Sequence, residues 1–186
     1  MTQTLNKVIV LGAGGQLGRE LAASTPGGVE CLPYTRAQLD VTDSEAITGI
    51  LRQQEAQVVI NAAAYTAVDQ AESEPERAAA GNTSGPGVLA TACAQAQCRL
   101  IHVSTDFVFD GAASEPYTPA SATSPLGVYG QTKRDGETAV LSSLPDALIV
   151  RTGWVYSAHG SNFVKTMLRL MSERDELSVV CLLYTS

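Results

Sequence analysis

"KVIVLGAGGQLGRE", residues 7–20, decides how this chain folds. The apolar run 7–11 shows no alternation of apolar and polar residues, so it reads as a strand covered on both faces. Residues 16–24 read as a helix. Between them Gly12, Gly15 and Gly18 spell G-x-x-G-x-x-G, and Gly14 adds a G-x-G within it. A pyrophosphate must come close to the backbone where such a helix begins. A side chain would block that approach, while the helix offers free N–H groups and the positive end of its dipole. An ordinary Gly-rich turn would use the same residues, but strand before and helix after favour a dinucleotide site.

Outward from this unit the pattern repeats. "VECLP" (29–33), "VVIN" (58–61), "LIHVS" (100–104) and "ALIVR" (147–151) read as further buried strands. Helical stretches are expected at 43–54, in part of 76–97, at 127–143 and at 162–176. Thr42 followed by Glu45 suggests a capping box for the first of these. Pro86, between Gly85 and Gly87, must distort or restart the second. Strand–helix alternation with right-handed crossovers implies a parallel sheet, hence an α/β, Rossmann-like doubly wound fold. Residues 111–125 are a loop by composition.

The 186 residues, 45% hydrophobic and 17% charged, suffice for one substantial core and at most part of another domain. A net charge of −7, with 12 scattered Lys and Arg, argues against nucleic-acid or anionic-membrane surfaces. No apolar run reaches membrane-spanning length and the first residues lack a leader's apolar region, so a cytoplasmic protein is expected. Cys31, Cys93, Cys98 and Cys181 make no C-x-x-C pair and no ligand cluster with the two histidines. Reduced, buried thiols and no metal site are expected.

Three further stretches carry chemistry. In "PYTRAQLD" an acidic residue for the ribose hydroxyls would be usual, yet Arg36 comes first and Asp40 follows. Arg36 could pair with a 2′-phosphate, which favours NADPH and leaves NADH open, or it could be a solvated surface charge. "VVINAAAYTAVDQAESEPE" runs from a strand into small residues at the sheet's carboxyl edge, where a flat cofactor could lie or helices simply pack closely. "HVSTDFVFDG" brings Ser104, Thr105 and Asp106 to the same edge, as substrate contacts or as turn residues.

In "GVYGQTKRDGE" (127–137), Tyr129 and Lys133 stand four apart and project from one helical face. An ammonium there is expected to draw the phenol's pKa down from about 10. Such a tyrosine can protonate a carbonyl oxygen while hydride reaches the carbon. Lys133 would also hold the nicotinamide ribose, and Thr105 the carbonyl oxygen. The chemistry implied is reduction of a ketone by NAD(P)H.

Taken together these residues resemble the extended short-chain dehydrogenase/reductase superfamily. "NAAAYTAVDQAESEPE", "STDFVFDG", "PLGVYGQTKRDGE", "RTGWVY" and "NFVKTMLRL" narrow the resemblance to the dTDP-4-dehydrorhamnose reductase family. It implies NADPH- or NADH-dependent reduction of the C4 ketone of dTDP-4-dehydro-L-rhamnose, in the making of dTDP-L-rhamnose. It implies Thr105, Tyr129 and Lys133 as the catalytic triad, with Gly12, Gly15, Gln16, Leu17 and Gly18 at the cofactor's phosphates. Asp40 and Val41 then lie near the adenine, Ala62, Ala63 and Ala64 beside the nicotinamide, and Asp106 and Trp154 at the substrate sugar. Residues 1–156 would form the cofactor domain and 157–186 the beginning of a truncated substrate region, with most of that domain absent. A homodimer of the full-length form is compatible with this reading.

"CLLYTS" at the end departs from the family's continuation, and truncation or foreign sequence is the expectation there. A 4,6-dehydratase or epimerase of the same superfamily would want Asp-Glu after the threonine, where Phe107 follows Asp106 here. A non-catalytic regulatory subunit, like that of methionine adenosyltransferase, is the reading from a different class.

Overall fold

The computed structural model describes residues 5–174 and 176–178. Five strands, β1 (Lys7–Leu11), β2 (Glu30–Tyr34), β3 (Val58–Asn61), β4 (Arg99–Thr105) and β5 (Leu148–Thr152), form one parallel sheet. Their order is β2-β1-β3-β4-β5. The chain therefore moves one way from β1 to β2, then jumps back across β1 to β3. With right-handed crossovers, that reversal puts successive helices on opposite faces. Helix α1 (Gln16–Ala23) packs on β1 and β2, while α2 (Ser44–Gln54), α5 (Gly85–Ala96) and α6 (Val128–Ser143) form a layer on the other face. This is the doubly wound arrangement expected, in the 2-1-3-4-5 variant. Ile9, Leu11, Val59 and Leu100 point into that layer and meet Ile47, Leu51, Leu89, Cys93 and Val140 in the main core. Pro33, which has no N–H for a ladder, sits on the edge strand β2, where that omission is tolerated.

The capping box is not formed. Asp43 caps α2 instead, its carboxylate accepting the Ala46 N–H at 3.0 Å. Thr42 is drawn away because its hydroxyl donates to Asp40 at 2.8 Å. Asp is as good a cap as Thr, and Asp43 lies one residue nearer the helix.

Between β3 and β4 the chain makes α3 (Val68–Ala71), α4 (Pro75–Ala79) and a π-helical turn, Ala80–Ser84, running directly into α5. Pro86 explains the interruption, since it cannot donate to the carbonyl four residues before it. The turn ahead of it widens, and the Gly85 N–H bonds the Ala80 carbonyl, five residues back. The widened turn meets α6 at Gly136, where a Cβ would stand 2.0 Å from the Asn82 carbonyl oxygen. The Asn82 side chain, fully buried, pairs with both backbone groups of Tyr65 (2.9 and 3.1 Å) and donates to Thr132 on α6 at 3.2 Å.

Helix α7 (Phe163–Glu173) follows β5 and buries none of its residues. It ends short of the expected 176. The stretch "CLLYTS", with Cys181, lies outside the described residues; Leu177 and Ser178 carry no regular structure. Cys93 and Cys98 are buried as expected, whereas Cys31, on the edge strand, is only half-buried. No described helix is long and apolar enough to cross a membrane.

Candidate active site

A cleft of about 640 Å³ opens at the carboxyl ends of the strands. It lies where strand order reverses, between β1 and β3, which is where ligands of doubly wound sheets bind. Gly12, Gly15, Gln16 and Leu17 form one wall. Gly12 has φ of +80°, and a Cβ there would meet the Ala62 carbonyl carbon and the Ala63 nitrogen at 2.6 Å. Only glycine lets the turn after β1 lie flat against the end of β3. Gly18, expected among the phosphate contacts, does not reach the cleft. A Cβ at Gly18 would lie 2.3 Å from the Gly12 carbonyl oxygen, so its hydrogen serves the packing of α1 on the turn.

The far end of the cleft is lined by Arg36, Asp40 and Val41. Arg36 Nε and Asp40 Oδ2 pair at 3.0 Å, while Asp40 Oδ1 accepts the Thr42 N–H at 3.0 Å. The Thr42 N–H, with help from Arg36, holds the Asp40 carboxyl below its ordinary value. The arginine is largely exposed while lining the cleft.

Ala62, Ala63 and Ala64 continue β3 along the floor. They are shaped by Asn61, fully buried, whose Oδ1 accepts the Ala63 N–H at 3.1 Å. That bond fixes the amide, so Nδ2 is the atom facing His102 Nδ1 at 3.1 Å. An amide NH₂ donates, so His102 Nδ1 accepts and its proton resides on Nε2. Burial, and secondarily the Lys133 charge, push His102 down to about 3, so the ring is neutral at ordinary pH.

Thr105, Asp106, Tyr129 and Lys133 meet in the middle of the cleft. Thr105 ends β4 and Asp106 opens the short 3-10 turn Asp106–Val108 that follows it; Tyr129 and Lys133 occupy the first turns of α6. No side chain of α6 caps its own start. Glu72, just after α3, does so by accepting the Val128 N–H at 2.8 Å. The Thr105 hydroxyl donates to Asp106 Oδ1 at 3.2 Å, and the Phe107 ring stands edge-on to Tyr129 with centroids 5.6 Å apart.

The electrostatics differ from the sequence expectation. Lys133 is 2% exposed and its ammonium donates to the Val103 carbonyl at 2.7 Å. Its pKa is pushed down to about 8 by burial, against the supporting charge of Glu137. Tyr129 is not acidified. Burial raises its pKa, Asp106 raises it further, and a hydrogen bond with Thr105 only partly offsets them. The spacing of Tyr129 and Lys133 puts them on one face, but α6 presses that face onto β4. Burial there governs the phenol, and Lys133 is not among the groups that shift it. The phenol is thus held in its protonated form, the form a proton donor needs.

Trp154 closes the cleft at the end of β5, in the left-handed region with φ of 54°. A bulky residue in that region marks strain held by its surroundings. Among the described residues no group of three or more His, Cys, Asp or Glu could hold a metal ion. Sequence reasoning passed over Leu39, Tyr65, Arg77, Thr152 and Gly153, which also line the cleft. Tyr65, Thr152 and Gly153 stand inside the quoted motifs "NAAAYTAVDQAESEPE" and "RTGWVY", and Leu39 inside "PYTRAQLD", so their positions carried a signal; Arg77 carried none.

Against known proteins, the family model described as RmlD substrate binding domain matches residues 6–182. The dTDP-4-dehydrorhamnose reductase of Mycolicibacterium smegmatis is 47% identical over 177 residues, covering 94% of this chain and 54% of that protein. The crystal structure of a dTDP-4-dehydrorhamnose reductase from Clostridium acetobutylicum superposes with a TM-score of 0.90 at 42% identity, over 94% of this chain and 62% of that one. The dTDP-4-dehydrorhamnose reductase of Bacillus anthracis, solved in complex with NADP, gives 0.91 at 37% identity, over 96% and 64%. This chain spans a little over half the length of the curated relatives it matches.

Proposed function

Since the chain belongs to the RmlD substrate binding domain family, we propose that it carries the cofactor-binding and proton-donating part of a dTDP-4-dehydrorhamnose reductase. The reaction is reduction of the C4 ketone of dTDP-4-dehydro-L-rhamnose to dTDP-L-rhamnose. One observation carries the reading: a protonated tyrosine, a threonine hydroxyl and a buried lysine converge on the same cleft as the Gly12–Leu17 turn.

NADPH fits this cleft, because the Gly12–Ala62 approach leaves a floor without side chains long enough to fill it. When bound it supplies the hydride. Gly12, Gly15, Gln16 and Leu17 would hold the phosphates at the positive end of α1, and Gly18 supports them by packing. Arg36 would meet the 2′-phosphate, with Asp40 and Val41 toward the adenine; NADH would forgo only the Arg36 contact. Ala62, Ala63 and Ala64 would lie beside the nicotinamide and Lys133 would hold its ribose.

Thr105 would hold the C4 carbonyl oxygen. Tyr129 would give its proton to that oxygen on reduction of C4 and regain one from solvent. Asp106 and Trp154 would orient the sugar. Residues 1–156 act as the cofactor domain and 157–186 as the beginning of the sugar-binding region, so turnover needs the length the relatives have beyond this chain.

NADPH titration of the 186-residue chain, beside a version extended to the relatives' length and assayed with the ketone, tests the proposal. Cofactor binding by both and turnover by the longer one is the expected result. Failure of the longer protein to consume NADPH with the ketone would overturn it.

A further inference from the structure

Gln16 opens α1 on the cleft wall, yet its side chain is committed elsewhere. Its Nε2 donates to the Ser161 carbonyl at 3.2 Å, and its Oε1 accepts from Asn162 Nδ2 at 2.9 Å. The two partners lie 145 and 146 residues along the chain. Asn162 does three things at once. Its Nδ2 also donates to the Ser157 carbonyl at 2.9 Å, closing the loop 157–162, and its Oδ1 accepts the Lys165 N–H at 3.0 Å, capping α7. Lys165 fastens the same loop from inside, donating to the Ala158 and Gly160 carbonyls at 3.1 and 2.8 Å. The first residue of α7, Phe163, packs edge-on against Trp154 with centroids 5.1 Å apart.

A continuous set of contacts thus runs from the phosphate turn through Gln16 and Asn162 to Phe163 and Trp154. We propose that Asn162 is a positioning residue for dinucleotide binding: it holds the Gln16 amide off the start of α1, and so couples cofactor binding to the seating of Trp154. The geometry supplies the reason. The first N–H groups of α1 have no partner within the helix and must stay open toward an anion. A Gln16 amide released from Asn162 could fold over them. Held by Asn162 and Ser161, it leaves them clear and ties the α7 loop to the place where the anion binds. The proposal deepens the cofactor reading above and rests on it.

The test uses the 186-residue chain and NADP⁺, which does not absorb tryptophan emission. Trp154 is the only tryptophan, so acrylamide quenching of intrinsic fluorescence reports on it alone. Asn162→Ser keeps a hydroxyl able to cap α7 but removes the amide that binds Gln16. Loss of that hydrogen bond should weaken NADP⁺ binding about 3- to 10-fold by calorimetry. NADP⁺ should change Trp154 quenching in the parent and not in the variant, while circular dichroism stays unaltered. In a cycle with Gln16→Ala, the two substitutions should be non-additive: with no amide left to fold over the start of α1, Asn162→Ser should cost no further affinity.

Parent-like affinity and quenching in Asn162→Ser, or additive effects in the cycle, would overturn the proposal while leaving the cofactor reading intact. A parent chain that does not bind NADP⁺ would overturn both.

Discussion

Replacing Lys133 by Met separates the energetic cost of this site from its use. Lys133 is buried, and its pKa lies at about 8 in the folded chain against 10.5 ordinarily. In the unfolded chain the side chain is solvated and keeps the ordinary value. Between those two values the unfolded state binds more protons than the folded one. Stability therefore rises with pH through that window, and below it the full cost of burying the ammonium is present. Lys133→Met removes this titration while keeping the length and apolar character of the stem. The stability difference, variant minus parent, should be largest at pH 7. It should shrink by roughly 2–3 kcal/mol as pH rises to 10.

Other groups titrate in both proteins and cancel in the difference, while the bond to the Val103 carbonyl, lost only in the variant, adds an offset that pH leaves nearly constant. Urea unfolding followed by circular dichroism, at intervals from pH 6 to 10, reads the effect as a change of about 1 M in the gap between midpoints. A difference that stays constant over this range would refute the argument that Lys133 is charged and desolvated at neutral pH. A difference that grows with pH would refute its sign.

Tyr129→Phe, in a chain of the relatives' length, should lower kcat about 10²- to 10⁴-fold with NADPH affinity nearly unchanged, since only the transferable proton is lost; steady-state kinetics and fluorescence titration check this, and normal turnover would remove Tyr129 as the acid. Arg36→Ala should weaken NADPH several-fold and leave NADH unaffected, and equal losses for both would deny the 2′-phosphate contact. Gly136→Ala places a methyl where only 2.0 Å separates it from the Asn82 carbonyl oxygen, so α6 and the widened turn Ala80–Ser84 must part, at a cost of about 1–3 kcal/mol in urea titration.

The five strands and the long helices were legible because each repeats a local pattern, and observed boundaries for the strands fall within one residue of those read. β2, for example, runs 30–34 where 29–33 was expected. The glycine turn, the alanines after β3 and the Tyr129–Lys133 pair were legible because the chemistry sits within a few adjacent positions. Most of what escaped the reading depends on residues distant in sequence. The acidity of Tyr129 is set by how α6 lies on β4, not by the four-residue spacing to Lys133. Glu72 caps a helix 56 residues further on, and Asn162 reaches back 146 residues to Gln16. Thr42 was read as a cap because only its distance to Glu45 was visible, and not the competing carboxylate of Asp40.

The widened turn at Ala80–Ser84 amounts to one surplus residue lodged in an otherwise continuous helix. Excising any one residue there would let the helix close into ordinary winding, and everything on its upstream side would swing by about 100° relative to α5. Asn82 would then point away from Tyr65, and the alanine floor would lose the clasp that fixes its far side. The segment therefore tolerates substitution at exposed positions far better than any change in its length.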